Sequence, residues 1–91
     1  MEQSEHFVYI VRCRDGSLYT GYARDPKARA ATHNAGKGAR YTFSRRPVRL
    51  VYVESCHSLG AALSREHAIK SLKRLDKVAL IASQRRRRKA T

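Results

Sequence analysis

HFVYIVRCRDGSLYTGY, residues 6–22, reads as a strand, a turn and a returning strand. From His6 to Cys13 apolar side chains occupy both faces, with Phe7, Tyr9 and Val11 alternating with Val8 and Ile10. Such a strand belongs in the middle of a sheet that is covered on both sides. Asp15-Gly16 is a strong hairpin signal, and Ser17 to Tyr22 forms the second strand. The length of the turn decides which side chains share a face, because a slip of one residue sends every side chain to the opposite side. A two-residue turn would pair Tyr9 with Tyr22 and Arg12 with Tyr19, separating Tyr9 from Tyr19. A three-residue loop closed by a bulge at Gly16 would pair Val11 with Tyr19 and bring both tyrosines to one face.

Beyond the hairpin, Asp25-Pro26 has the form of a helix start, with Asp as the cap and Pro at the first helical position. That helix should run to about Asn34 and stop at Gly36. Residues 36–47 read as a loop in which Lys37, Arg40, Arg45 and Arg46 are interleaved with Tyr41 and Phe43. Val48 to Glu54 is a third strand. Ser58 caps the longest helix, expected to reach about Lys73, and Asp76 restarts a short helix through Ala82. Arg85 to Lys89 is a basic run with nothing to bury, so residues 84–91 read as a disordered basic tail behind a domain spanning 1–83. The order ββα-β-αα predicts an α+β fold, a small three-stranded antiparallel sheet flanked by helices.

Twenty Lys and Arg stand against seven Asp and Glu, a formal charge of +13 on 91 residues. A field of that sign draws polyanions and speeds their encounter. Nucleic acid is therefore the expected partner, DNA ahead of RNA. Cations alternating with aromatics in residues 37–46 suit a groove that contacts both backbone and bases, and Lys37, Arg40, Tyr41, Arg45 and Arg46 are its candidate residues. No apolar run approaches the ~20 residues of a membrane span, and the beginning of the chain lacks the layout of a signal peptide, so the expected location is cytoplasmic. Cys13 and Cys56 are too few and too unpatterned for a disulfide framework or a zinc knuckle.

Two placements carry possible chemistry. On the long helix, Leu59, Ala62, Leu63 and Ile69 form one stripe, and Glu66 falls inside it. A carboxylate withdrawn from water needs a partner, either a structural salt bridge or a hard cation such as Mg²⁺ whose other positions go to water and phosphate. On the first helix, Arg29 and His33 are four residues apart and project side by side. Arg presents a planar fork to phosphate and His moves protons near neutral pH, although two solvated residues on an exposed face would show the same spacing.

Val8-Tyr9-Ile10 followed by Tyr19-Thr20-Gly21 resembles the paired triplets of the GIY-YIG nucleases. Asp25 to Arg29 with His33 is similar to that family's first helix, and Glu66 is similar to its metal-binding Glu. Gly36 to Thr42 and the strand beginning Arg46-Pro47-Val48 resemble the small stand-alone bacterial members. The likeness covers about residues 7–80. It implies a metal-dependent endonuclease with one divalent ion, Mg²⁺ or Mn²⁺, held by Glu66. Tyr9 would activate the attacking water and Arg29 would stabilise the phosphorane. Tyr19 and His33 would shape the site and assist proton transfer, and Gly21 would let the backbone pass close by. A shared site of Tyr9 and Tyr19 requires the bulged hairpin, which is therefore the expectation. The chain departs from the pattern in two places: Val8 replaces the first Gly, and no Asn follows Asn34. Larger members carry an Asn downstream of the Glu, a role left here to water or to a residue such as Lys70. The alternative is a catalytically silent nucleic-acid-binding module on the same fold.

Overall fold

A computed structural model describes residues 5–90, with side chains through Arg87. The elements run β1 (His6–Arg12), β2 (Leu18–Ala23), α1 (Pro26–Asn34), α2 (Arg40–Phe43), β3 (Arg49–Cys56), α3 (Leu59–Lys70) and α4 (Arg74–Ala90). All strand pairs are antiparallel, in the order β2-β1-β3. The α+β fold with a three-stranded antiparallel sheet is the one expected, and the doubly apolar β1 is its central strand.

The hairpin is the bulged one. Val11 pairs with Tyr19 and Arg12 with Leu18, which leaves Arg14, Asp15 and Gly16 between the narrow pair Cys13 and Ser17. The Gly16 N–H donates to the Cys13 carbonyl at 2.9 Å, and the Cys13 N–H donates to the Ser17 carbonyl at 2.8 Å. Gly16 has φ +87, the left-handed conformation such a loop needs and that glycine adopts at little cost. The consequence is the predicted one: Tyr9 and Tyr19 lie on the same face.

Each face has its own apolar layer. On one, Val8, Ile10, Tyr52, Ala62 and Ile69 pack β1 and β3 against α3. On the other, Tyr9, Val11, Cys13, Ala23 and Val48 are buried, with Ala30 of α1 against them. A register shift between Ile10 and Val11 leaves Val51 as the extra residue of β3, so Val51 packs into the α3 layer while Leu50 joins the α1 layer. Asp25 caps α1 through the Ala28 N–H, and Ser58 caps α3 through the Ala61 N–H.

Three local expectations differ from the structure. The loop at 36–47 contains a single helical turn, α2, around the buried Thr42. In α3 only Ala62 and Ile69 of the expected stripe are buried, while Leu59 and Leu63 are 48% and 47% exposed. Last, α3 ends at Lys70, short of Lys73, and the longest helix is α4. It starts at Arg74, ahead of Asp76, and continues past Ala82 through Arg85–Arg87, where composition predicts a tail without structure. The reason is contact: the Gln84 side chain accepts from the Val53 N–H at 3.2 Å and donates to the Val53 carbonyl at 2.6 Å. A side-chain amide thus fills one open pair on the edge of β3, and arginine, a good helix former, carries the helix onward.

Candidate active site

His33 is the hub. It sits in the last turn of α1, 2% exposed, with its ring between β1, β2 and the α2 turn. The Tyr9 hydroxyl lies 2.8 Å from His33 Nε2, and the Thr42 hydroxyl lies 2.8 Å from His33 Nδ1. Thr42 has one hydroxyl proton, and it goes to the Ala39 carbonyl at 2.9 Å. The Thr42 oxygen is then an acceptor, so Nδ1 carries the imidazole hydrogen and Nε2 presents its lone pair to Tyr9. The opposite tautomer would accept the Ala39 N–H at the longer distance of 3.3 Å and would take from the Tyr9 proton its acceptor on His33. The shorter bonds favour the first arrangement, a chain running from Tyr9 through His33 and Thr42 to the Ala39 carbonyl.

Two glycines make room for this chain. A Cβ at Gly21 would stand 2.5 Å from the Tyr9 hydroxyl oxygen, and a Cβ at Gly38 would stand 2.1 Å from His33 Nδ1. Neither position shows a positive φ, so the requirement is space, and any side chain would displace Tyr9 or His33.

Electrostatics link the remaining residues. Burial pushes the Tyr9 pKa up to about 12, aided by the nearby Tyr19 and Glu66, while the Arg29 charge pulls it down. Burial, and then Arg29, hold the His33 pKa below its ordinary value, so the imidazole is neutral at neutral pH. Arg29 itself is exposed on α1. Glu66 on α3 keeps 18% of its side chain exposed and is 3.0 Å from the Lys70 ammonium. The structure therefore brings Tyr9, Tyr19, Arg29, His33 and Glu66 into one region at the β2 side of the sheet.

The expected nucleic-acid residues divide. The Tyr41 ring stacks on Tyr19 with centroids 5.9 Å apart, and Tyr19 meets the His33 ring edge-on at 5.4 Å, so Tyr41 extends the site outward. The Arg45 guanidinium lies over Tyr41 at 3.9 Å and also pairs with Asp15 at 3.2 Å. Arg46 lies over Phe43 at 4.5 Å and donates to the Phe43 carbonyl at 2.7 Å. Arg45 and Arg46 are thus engaged within the chain, whereas Lys37 and Arg40 are exposed. Sequence reading misses Thr42 and the reason for Gly38, because both act on His33 only after the 36–47 segment folds back. The one available signal is the small, turn-forming stretch Gly36 to Thr42.

The family model described as the GIY-YIG catalytic domain matches residues 5–78. A UPF0213 protein of Staphylococcus haemolyticus is 55% identical over 78 residues, covering 86% of this chain and 95% of that protein. Another, from Staphylococcus epidermidis, is 57% identical over 77 residues, covering 85% and 94%. Among solved structures, the UPF0213 protein BH0048 from Bacillus halodurans has a TM-score of 0.56 at 44% identity, covering 85% of this chain and 82% of its own. The E. faecalis protein EF2693 has a TM-score of 0.60 at 36% identity, covering 92% and 88%.

Proposed function

The chain belongs to the GIY-YIG catalytic-domain family, and from that premise we propose that it is a metal-dependent endonuclease hydrolysing phosphodiester bonds of nucleic acid, DNA foremost. The observation that carries the reading is the Tyr9 hydroxyl, held 2.8 Å from a neutral His33 and within the fields of Arg29 and Glu66.

GIY-YIG nucleases generally use a divalent metal ion. Among the described residues, no group of three or more His, Cys, Asp or Glu could hold a metal, which disfavours a closed protein cage. A hard cation that takes one carboxylate and fills its other positions with water and phosphate does fit, and Glu66 is the carboxylate that would hold it. Bound there, Mg²⁺ or Mn²⁺ would neutralise phosphate charge and make the attacking water more acidic.

The chain's own residues do the rest. With a pKa near 12, Tyr9 in the metal-free chain keeps its proton at neutral pH and is not a free phenolate. It acts as a relay: His33 Nε2 receives the Tyr9 proton while the Tyr9 oxygen takes one from the incoming water. Arg29, exposed beside this pair, offers its fork to the phosphate and to the charge that grows there. Tyr19 and Tyr41 form a stacked wall on which a base can rest.

The alternative reading, a silent binding module, has an observation of its own: Lys70 already neutralises Glu66. A nuclease assay separates the two, using single-stranded, duplex, nicked and branched substrates with Mg²⁺ or Mn²⁺. Cutting by the wild type that is lost in Glu66→Ala and Arg29→Ala supports the nuclease. Binding without cutting on every substrate selects the silent module, and cutting that survives Glu66→Ala unchanged excludes the assigned site.

A further inference from the structure

A large concavity lies away from Tyr9, and nothing in the proposed chemistry uses it. It is a groove of about 1020 Å³ between the start of α1, the outer edge of β3 and the last turns of α4. The Tyr9 hydroxyl sits over Gly21 in β2, and the strand order β2-β1-β3 puts the groove at the opposite edge of the sheet.

Four cations line it, each from a different place in the chain: Arg24 after β2, Lys27 in α1, Arg49 in β3 and Arg87 in α4. Against them stand two carboxylates. The Asp25 side chain accepts the Ala28 N–H as the helix cap at 3.1 Å, and the exposed Glu5 pairs with Arg24. Lys27, Arg49 and Arg87 have no salt-bridge partner among the described residues. The floor is apolar, formed by the sheet face around Phe7, Leu50 and Val53. Gln84 explains why Arg87 is there. Its two bonds to Val53 fix α4 against the β3 edge, and a residue three further on lies on the same side of a helix.

We propose that this groove is a second binding site for a nucleic-acid strand, holding its backbone outside the place of cutting. The proposal rests on the nucleic-acid reading of the Tyr9 site and extends it. A cationic rim over an apolar floor suits a polyanion with flat, apolar bases. The groove is also within reach: from Lys27 to His33 is roughly 9 Å along α1. Lys27 lies two residues before Arg29 and so on another side of α1, and a strand leaving the groove would reach Arg29 by crossing the start of that helix.

The test is oligonucleotide binding in chelator and without metal, so that cutting plays no part. Fluorescence anisotropy on a single-stranded oligonucleotide compares the full chain with Lys27→Gln/Arg49→Gln and with a control of equal charge, Lys73→Gln/Arg74→Gln. All four positions are exposed, so folding should be retained, and circular dichroism checks it. The groove variant should bind about tenfold more weakly near 0.1 M salt, with a log–log salt slope shallower by roughly 1.4, the value for two lost single-strand contacts. The control should change little. Amide NMR shifts on titration should include Arg24, Asp25 and Lys27, and Val51, Tyr52 and Val53. Equal weakening in both variants, or shifts confined to the α1 end and α2, overturns the groove while leaving the Tyr9 site standing. The same groove shifts with inorganic phosphate alone would make it a small-anion site and likewise overturn it. No binding of any nucleic acid by the wild type sinks the parent reading as well.

Discussion

Thr42 shows how much rests on single hydroxyl groups in this molecule. It is fully buried, and its oxygen holds the Nδ1 hydrogen of His33 at 2.8 Å. Thr42→Val keeps the shape and removes the acceptor, leaving a buried imidazole N–H unpaired. That should cost about 1–3 kcal/mol in chemical denaturation, and cutting should fall with it. Thr42→Ser should recover both; recovery of stability alone would mean that the hydroxyl has no part in the chemistry. Thr20 is the opposite case. Its hydroxyl is buried with no partner among the described residues, at a position where the resembled triplet carries Ile. Thr20→Val removes an unmet polar group and should raise stability by about 1 kcal/mol, or roughly 4–8 °C in Tm for a domain of this size; an unchanged or lower Tm would refute it. His33 gives a pH dependence of defined sign. Its folded pKa lies below the ordinary 6.5, so between those values the unfolded chain binds more protons. Stability should therefore be full above pH 6.5 and decline as pH falls from there to the folded value, below which this contribution no longer changes. Arg29 is one cause of the lowered value, so NMR titration of Arg29→Ala should show the His33 pKa moving up.

At the scale of elements, what was legible was what local chemistry determines. Asp15-Gly16 left two registers open, and the need to bring Tyr9 and Tyr19 to one face selected the bulged one, which the structure has. Asp25-Pro26 and Ser58 announced two helix starts because caps act within a few residues. The α3 stripe was only half legible: periodicity says which residues share a side but not which of them find a neighbour, and Leu59 and Leu63 stay exposed. Of the long α4 only the part from Asp76 through Ala82 was legible; its continuation was not, since the arginine run carries no apolar signal and the anchor is a glutamine bonded to a strand 31 residues away in sequence. The site divides the same way. Tyr9, Tyr19, Arg29, His33 and Glu66 were found as motif residues, whereas Thr42 and Gly38 gain their roles only through the returning loop. The α4 anchor can be tested directly. Gln84→Ala removes two bonds to Val53 and should cost about 1–2 kcal/mol. Faster hydrogen exchange at the Val53 amide, with β1 amides little changed, would locate the loss at the β3 edge; unchanged exchange there would show that α4 is held by Leu80 and Ile81 alone.

For the whole molecule the governing quantity is the charge of +13 set against its size, a radius of gyration of 12.9 Å. The screening length is about 30 Å at 0.01 M salt and about 10 Å at 0.1 M. At the lower salt each cation feels every other one across the fold; at the higher, mainly its neighbours. Two effects of added salt then compete. Screening weakens the ion pairs Glu5–Arg24, Asp15–Arg45, Glu54–Arg65 and Glu66–Lys70, but exposed pairs contribute only about 0–1 kcal/mol each. Screening also relieves the repulsion among the cations left over, and those far outnumber the pairs. Repulsion should win, because folding gathers these charges into a smaller volume than the unfolded chain occupies. Tm should therefore rise as NaCl goes from 0.01 to 0.1 M, followed by circular dichroism at pH 7. A short polyanion should raise it further at equal ionic strength, since it binds the folded chain in addition to screening it. A Tm that falls over the same range would mean that the ion pairs contribute more than the net charge costs, and that the cations are already well separated on the surface. That outcome would also remove the electrostatic reason for a converging groove at the β3 edge, so a simple melting series bears on how this chain would hold its strand.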